Sequence, residues 1–152
     1  MHIVLVEPEI PQNTGNIART CALTNTSLHL VKPLGFSLDD RYLKRAGLDY
    51  WDKVDIKVWD SFEALAKQYE GASFFPATTR TEQNYHQVTF PPECFLVFGR
   101  ETKGLPANIL NAYPNNHIRI PMRDIGRSLN LANSAAIILF EALRQHNFAN
   151  LK

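Results

Sequence analysis

Short apolar runs alternate with stretches of helical periodicity along this chain, and that alternation restricts its fold more than any other feature. Residues 3–6, 28–31, 54–59, 73–77 and 95–98 are brief, rich in β-branched or aromatic side chains and bounded by chain-breaking or polar residues, so they read as strands. Between them, Ile17, Ala18, Cys21 and Ala22 make one helical face behind a cap at Asn13. Phe62, Leu65, Ala66 and Tyr69 make another behind a cap at Ser61. Residues 39–46 read as a short charged helix closed by Gly47. Leu105-Pro106 opens a further short helix, residues 81–93 form a polar loop, and residues 117–120 form a last strand. Residues 129–145 form the longest helix, with Leu131, Ala135, Ile138, Leu139, Ala142 and Leu143 on its apolar side. This pattern predicts an α/β fold, a mostly parallel sheet with helices on both faces. The 152 residues, 45% of them hydrophobic, suit one such domain over residues 1–152 and are too few for a second.

Composition narrows the functional classes. A net charge of +1 with 20% charged residues argues against tail-driven binding of nucleic acid, while leaving room for a local basic patch. Cys21 and Cys94 lack metal-ligand spacing and read as packed small residues. His2, His29, His86, His117 and His146 are scattered, so no metal is expected. The chain opens with no secretory pattern, reaching Glu7 too early, and no apolar run approaches the roughly 20 residues that cross a bilayer. The expectation is a cytoplasmic protein with reduced cysteines and no membrane partner.

In parallel sheets, ligands bind beyond the carboxyl ends of the strands. Asn13 follows the first strand, Ala77-Thr78-Thr79 the fourth, Gly99 the fifth and Pro121-Met122 the last, so four loops point to one edge. No G-x-G-x-x-G follows the first strand, and Gly99-Arg100-Glu101-Thr102-Lys103-Gly104 lacks the G-K-[ST] ending of a P-loop. An ordinary NAD enzyme or NTPase is therefore disfavoured. The two glycines either close a turn or let backbone approach a flat ligand. Pro121-Met122 either ends a strand or offers backbone amides and a soft thioether.

The stretch Arg127-Ser128-Leu129-Asn130-Leu131-Ala132-Asn133-Ser134 is more informative. Ser128 can cap the helix, but capping leaves Asn130 and Asn133 unexplained, since asparagine is a poor interior helix former. Two amides three residues apart favour a hydrogen-bonded site. Arg19, among Asn13, Asn16 and Thr20, is either a solvated cation or a group for phosphate or oxyanion.

Three segments together resemble the SPOUT superfamily of knotted RNA methyltransferases, SpoU type. They are Asn13-Thr14-Gly15-Asn16-Ile17-Ala18-Arg19-Thr20, then Leu96-Val97-Phe98-Gly99-Arg100-Glu101-Thr102-Lys103-Gly104-Leu105-Pro106, then Ile120-Pro121-Met122 with Ser128-Leu129-Asn130-Leu131-Ala132-Asn133-Ser134. The opening Val6-Glu7-Pro8-Glu9-Ile10-Pro11-Gln12-Asn13-Thr14-Gly15-Asn16 and Arg45-Ala46-Gly47-Leu48-Asp49-Tyr50 look closer still to the minimal TrmL (YibK) subgroup, which has no added RNA-binding domain. The resemblance spans essentially the whole chain. It implies a C-terminal trefoil knot, a homodimer, and S-adenosylmethionine-dependent 2′-O-methylation of the wobble nucleotide 34, cytidine or uridine, in leucine tRNAs. It further implies cofactor contacts at Ala77, Gly99, Ile120, Met122, Ser128 and Leu129, site organisation by Asn13, Glu101 and Asn130, and a catalytic role for Arg19. The chain departs from the subgroup at Arg100, where proline is usual, and at Phe140, where tyrosine is usual.

A guanidinium keeps its protons in proteins. Arg19 is thus expected to bind the neighbouring phosphate or stabilise a developing alkoxide rather than act as a base. Arg41 and Arg45 on the short charged helix, and Arg100, Lys103 and Arg127 in the loops, are the expected tRNA contacts. Two alternatives stand beside this reading: a 2′-O-methyltransferase acting on rRNA or another tRNA position, and a cofactor-binding RNA-binding protein without turnover.

Overall fold

The computed structural model describes residues 1–39, 41, 43, 45 and 50–152. Residues 40, 42, 44 and 46 of the helix expected over residues 39–46, with its closing Gly47, lie outside the described residues. Strands β1 (His2–Val6), β2 (Ser27–Val31), β3 (Ile56–Trp59), β4 (Ser73–Pro76) and β5 (Cys94–Phe98) form one sheet in the order β3-β2-β1-β5-β4. Every neighbouring pair is parallel. The named helices are α1 (Pro11–Thr24), α2 (Phe62–Gln68), α3 (Ala107–Ala112) and α4 (Leu131–Gln145).

Side-chain alternation divides the core between two faces. Ile3 and Leu5 of β1, Leu28 and Leu30 of β2, and Leu96 and Phe98 of β5 pack with Ile17, Ala18 and Cys21 of α1 and with the apolar side of α4. Val4, Val6, Phe95 and Val97 point the other way, onto Phe62 and Leu65 of α2 and Ile109 and Leu110 of α3. Burial on both faces explains why these strands read as continuous apolar runs. The expected α/β architecture is the observed one.

Several local expectations need correction. Asn13 does not cap α1. The helix starts three residues earlier, with Ile10 at the cap and Pro11 in the first turn, where a missing N–H is harmless. Residues 117–120 are not a strand of the sheet. Ile118 bridges Ala77 and Arg119 bridges Asn84, each as an isolated parallel pair. Ser128 does not cap the last helix: that helix begins at Leu131, and the Asn130 side chain accepts from the backbone N–H of Ala132 at 2.8 Å and of Asn133 at 3.3 Å. Ser61 does cap α2, accepting from Ala64 N–H at 3.1 Å.

The strand order fixes where a ligand would sit. The chain builds outward from β1 through β2 to β3 on one side, and β5 and β4 lie on the other. The order therefore reverses between β1 and β5, and the loops leaving their carboxyl ends diverge there.

Candidate active site

The loop after β5 is a closed unit. Arg100 and Gly104 exchange backbone hydrogen bonds of 3.2 and 2.9 Å. Gly99 is where the loop folds back on itself: a Cβ added there would lie 2.1 Å from the Gly104 carbonyl carbon. The loop presents Glu101 to the start of α1. Its carboxylate accepts from the backbone N–H of Glu9 at 2.9 Å and of Ile10 at 3.1 Å, and from the Asn13 amide at 3.1 Å. An acidic group over these free N–H groups is favourable because a helix N-terminus carries unsatisfied donors and positive partial charge. The Asn13 carbonyl oxygen in turn accepts from the Asn130 amide at 2.9 Å. One chain of side chains, Glu101 to Asn13 to Asn130, thus ties the loop after β5 to the N-termini of α1 and α4.

These tied segments border a cavity of about 470 Å³. Its wall includes Ala77 and Thr78 after β4, Gly99 and Leu105 around the β5 loop, and Ile120 and Met122 from the bridged segment. Ser128, Leu129 and Asn130 close it on the α4 side. The segment 118–122 is held in place by backbone bonds from Ile118 N–H to Pro76 O at 3.0 Å and from Thr78 N–H to Ile118 O at 2.9 Å.

The model of the SpoU rRNA Methylase family matches residues 1–140. The chain belongs to that family. A tRNA (cytidine(34)-2'-O)-methyltransferase of Methylovorus glucosotrophus is 51% identical over 148 residues, covering 97% of this chain and 96% of that protein. A crystal structure from Bacillus anthracis superposes with a TM-score of 0.92 at 51% identity, covering 99% of this chain and 97% of the other. A second solved structure, described as "Structural insights into the 2-OH methylation of C/U34 on tRNA", gives a TM-score of 0.92 at 44% identity, covering 96% and 95%.

In this SpoU-family chain, the residues singled out by sequence fall into two groups. Ala77, Gly99, Ile120, Met122, Ser128 and Leu129 all line the one cavity, and Asn13, Glu101 and Asn130 form the network beside it. Arg100, Lys103 and Arg127 also line the cavity, and the Arg100 guanidinium pairs with Glu7. Arg19 does not line it. Arg19 is exposed on α1 with its guanidinium 4.9 Å from the centre of the Tyr50 ring. Arg41 and Arg45 are exposed and outside the cavity wall, and Asn133 is exposed rather than part of the amide network.

Sequence reasoning passed over Arg119. It lines the cavity, donates to Thr81 O at 3.2 Å and lies 3.5 Å from Glu82, thereby holding the loop after β4 against the wall. The available signal was a charged residue between two isoleucines, Ile118 and Ile120. Cys21 and Cys94 are buried, and burial pushes their thiols up to about 12 and about 11, so neither supplies a thiolate near neutral pH. Among the described residues, no cluster of metal-ligating side chains is present, and no helix is long and apolar enough to cross a membrane.

Proposed function

We propose that the chain is an S-adenosylmethionine-dependent tRNA 2′-O-methyltransferase acting on the ribose of nucleotide 34, cytidine or uridine, and working as one domain in the cytoplasm. The observation that carries this reading is the cavity itself, bounded by all three family segments and locked by the Glu101–Asn13–Asn130 chain. Full-length identity near one half to a protein named for cytidine-34 methylation favours the wobble position over rRNA. The fold family supports a threaded C-terminal segment.

The residues present suit the methyl donor. The cavity falls in the range of small-molecule sites. The space a Gly99 side chain would need is already filled by Gly104, so this wall is bare backbone that a flat adenine can approach. Ala77, Gly99, Ile120, Met122, Ser128 and Leu129 would hold the donor. Bound there, S-adenosylmethionine supplies an electrophilic methyl group on its sulfonium.

The chain's own task is alignment and proton management. The cavity walls fix the direction of approach for the ribose oxygen. Arg19 binds the adjacent phosphate or stabilises the developing alkoxide. Because Arg19 lies outside its own chain's cavity, this role calls for a second copy. Arg19 shares the exposed side of α1 with Leu23, which is 58% exposed. α1 packs beside α4, which exposes Ile137 and Phe140. Such an apolar surface around a cation supports a homodimer in which Arg19 serves the partner's cavity. The phenyl ring of Phe140 provides apolar contact there without the hydroxyl of the more usual tyrosine. Arg100, Lys103 and Arg127 around the cavity, and Arg41 and Arg45 on the short helix, supply phosphate contacts.

The test is methyl transfer to total tRNA, followed by mapping of the modified nucleotide, with leucine acceptors assayed first. Incorporation at the 2′-oxygen of nucleotide 34, lost in Arg19→Ala, is expected. Incorporation into rRNA alone, or none into either RNA, overturns the reading.

A further inference from the structure

In an open parallel sheet, the crevice where strand order reverses is the usual ligand site. Here the loops leaving β1 and β5 are bridged by side chains, and both contribute to the cavity wall, through Ile10 and through residues 99–104. The bridge is reciprocal. Glu101 of the β5 loop accepts from the backbone of Glu9 at 2.9 Å. Glu9 of the β1 loop accepts from the backbone N–H of Thr102 at 3.1 Å, and its two carboxylate oxygens lie 3.0 and 2.8 Å from the Thr102 hydroxyl. The Glu7–Arg100 ion pair adds a second strap two residues before each member of the Glu9–Thr102 pair.

Glu9 is braced from behind. Gly35 N–H donates to Pro8 O at 2.9 Å, and a Cβ on Gly35 would lie 2.7 Å from the Glu9 Cα. The β1 loop is thus pressed between Gly35 and the β5 loop. Thr102 lines the cavity and Glu9 does not. The Glu9 side chain reaches the cavity wall through Thr102, while the Glu9 backbone N–H holds Glu101.

We infer that Glu9 and Thr102 are positioning residues for methyl transfer: their clasp closes the β1–β5 crevice and holds residues 99–104 as a preformed wall of the donor cavity. The inference rests on the donor reading given above. Hydrogen bonds near solvent, such as this clasp, add little to global stability, but a wall fixed before binding spares the donor the cost of ordering it. Loss of the clasp should therefore appear in donor affinity rather than in the melting temperature. Tight binding of tRNA should survive, because neither side chain carries positive charge.

The experiment measures the S-adenosylmethionine Kd by calorimetry and the KM for tRNA in the full-length protein and its variants. Glu9→Ala and Thr102→Val should each weaken donor binding roughly tenfold, the scale of one charge-assisted hydrogen bond. The KM for tRNA should stay unchanged, and Thr102→Ser should restore wild-type affinity. The double variant should bind no more weakly than the weaker single variant, because both remove one clasp. Wild-type donor affinity in either single variant, or fully additive losses in the double variant, overturns the inference alone. A wild-type protein that binds no S-adenosylmethionine overturns the donor reading and this inference with it.

Discussion

Two polar networks stand on this sheet, and they differ in nearly every physical respect. The one at the carboxyl ends of β1 and β5 is ionic, partly exposed and open on one side to the cavity. The other lies on the α2 and α3 face, where His2 and His29 occupy positions that alternation would assign to apolar residues. There Trp59 Nε1–H donates to His29 Nδ1 at 3.0 Å, His29 Nε2 meets His2 Nδ1 at 3.0 Å, and His2 Nε2 meets Glu93 at 3.0 Å. The indole only donates, so a neutral His29 must carry its proton on Nε2 and pass the same polarity to His2. Phe95 stacks on His2 at 4.2 Å and Tyr69 meets the His29 ring edge-on at 5.6 Å. His29 is fully buried, and that burial pushes its pKa down to about 3. The first network holds segments around a space, whereas the second fills space. Of the two, the first borders the cavity, through Asn13, Glu101 and Asn130.

The largest expected effect comes from Gly99→Ala, which destroys the first network's frame while sparing the second. Its methyl group meets backbone rather than a mobile side chain, so the loop must shift. A displacement of about an ångström costs on the order of 100-fold in activity. Methyl-transfer assays should show that loss, and the pH dependence of unfolding should remain wild type.

The second network is broken by acid. The folded pKa of His29 lies below its unfolded value of 6.5, so the unfolded chain binds more protons between those limits. Stability is then full above pH 6.5 and declines as pH falls toward about 3, where the folded state also protonates. His2 shifts in the same direction, chiefly through burial. The loss from His29 should be on the order of 2 kcal/mol by pH 5, read from denaturant midpoints. His29→Gln should flatten this dependence without altering donor affinity.

A smaller effect separates the two asparagines. Asn130→Ala removes a cap worth about 1 kcal/mol and should lower the melting temperature by about 2–4 °C, with weaker donor binding as Asn13 loses its partner. Asn133→Ala, at an exposed site, should change neither.

The same contrast explains what the sequence could reveal. Strands such as residues 3–6 and 95–98 were legible because burial on both faces demands apolar runs, and Ser61 was legible because its bond is local. Asn13 and Ser128 read as caps because their type suits capping. What set the helix starts lay elsewhere: Pro11 allowed α1 to begin earlier, and Asn130 supplied a better acceptor for α4. Residues 117–120 read as a strand because Ile118 and Ile120 alternate with His117 and Arg119, yet the bridge partners, Ala77 and Asn84, lie outside the sheet. Glu9 and Thr102 were invisible as a pair because 93 residues separate them. The placement of Arg19 away from its own cavity followed no local pattern at all.

Hydrogen exchange with and without S-adenosylmethionine tests most directly whether the carboxyl-end network frames a donor site. Protection is expected at residues 99–104 and 118–122, with β2 and β3 unchanged. Unaltered exchange at residues 99–104, or protection confined to the His2–His29–Trp59 region, would contradict it.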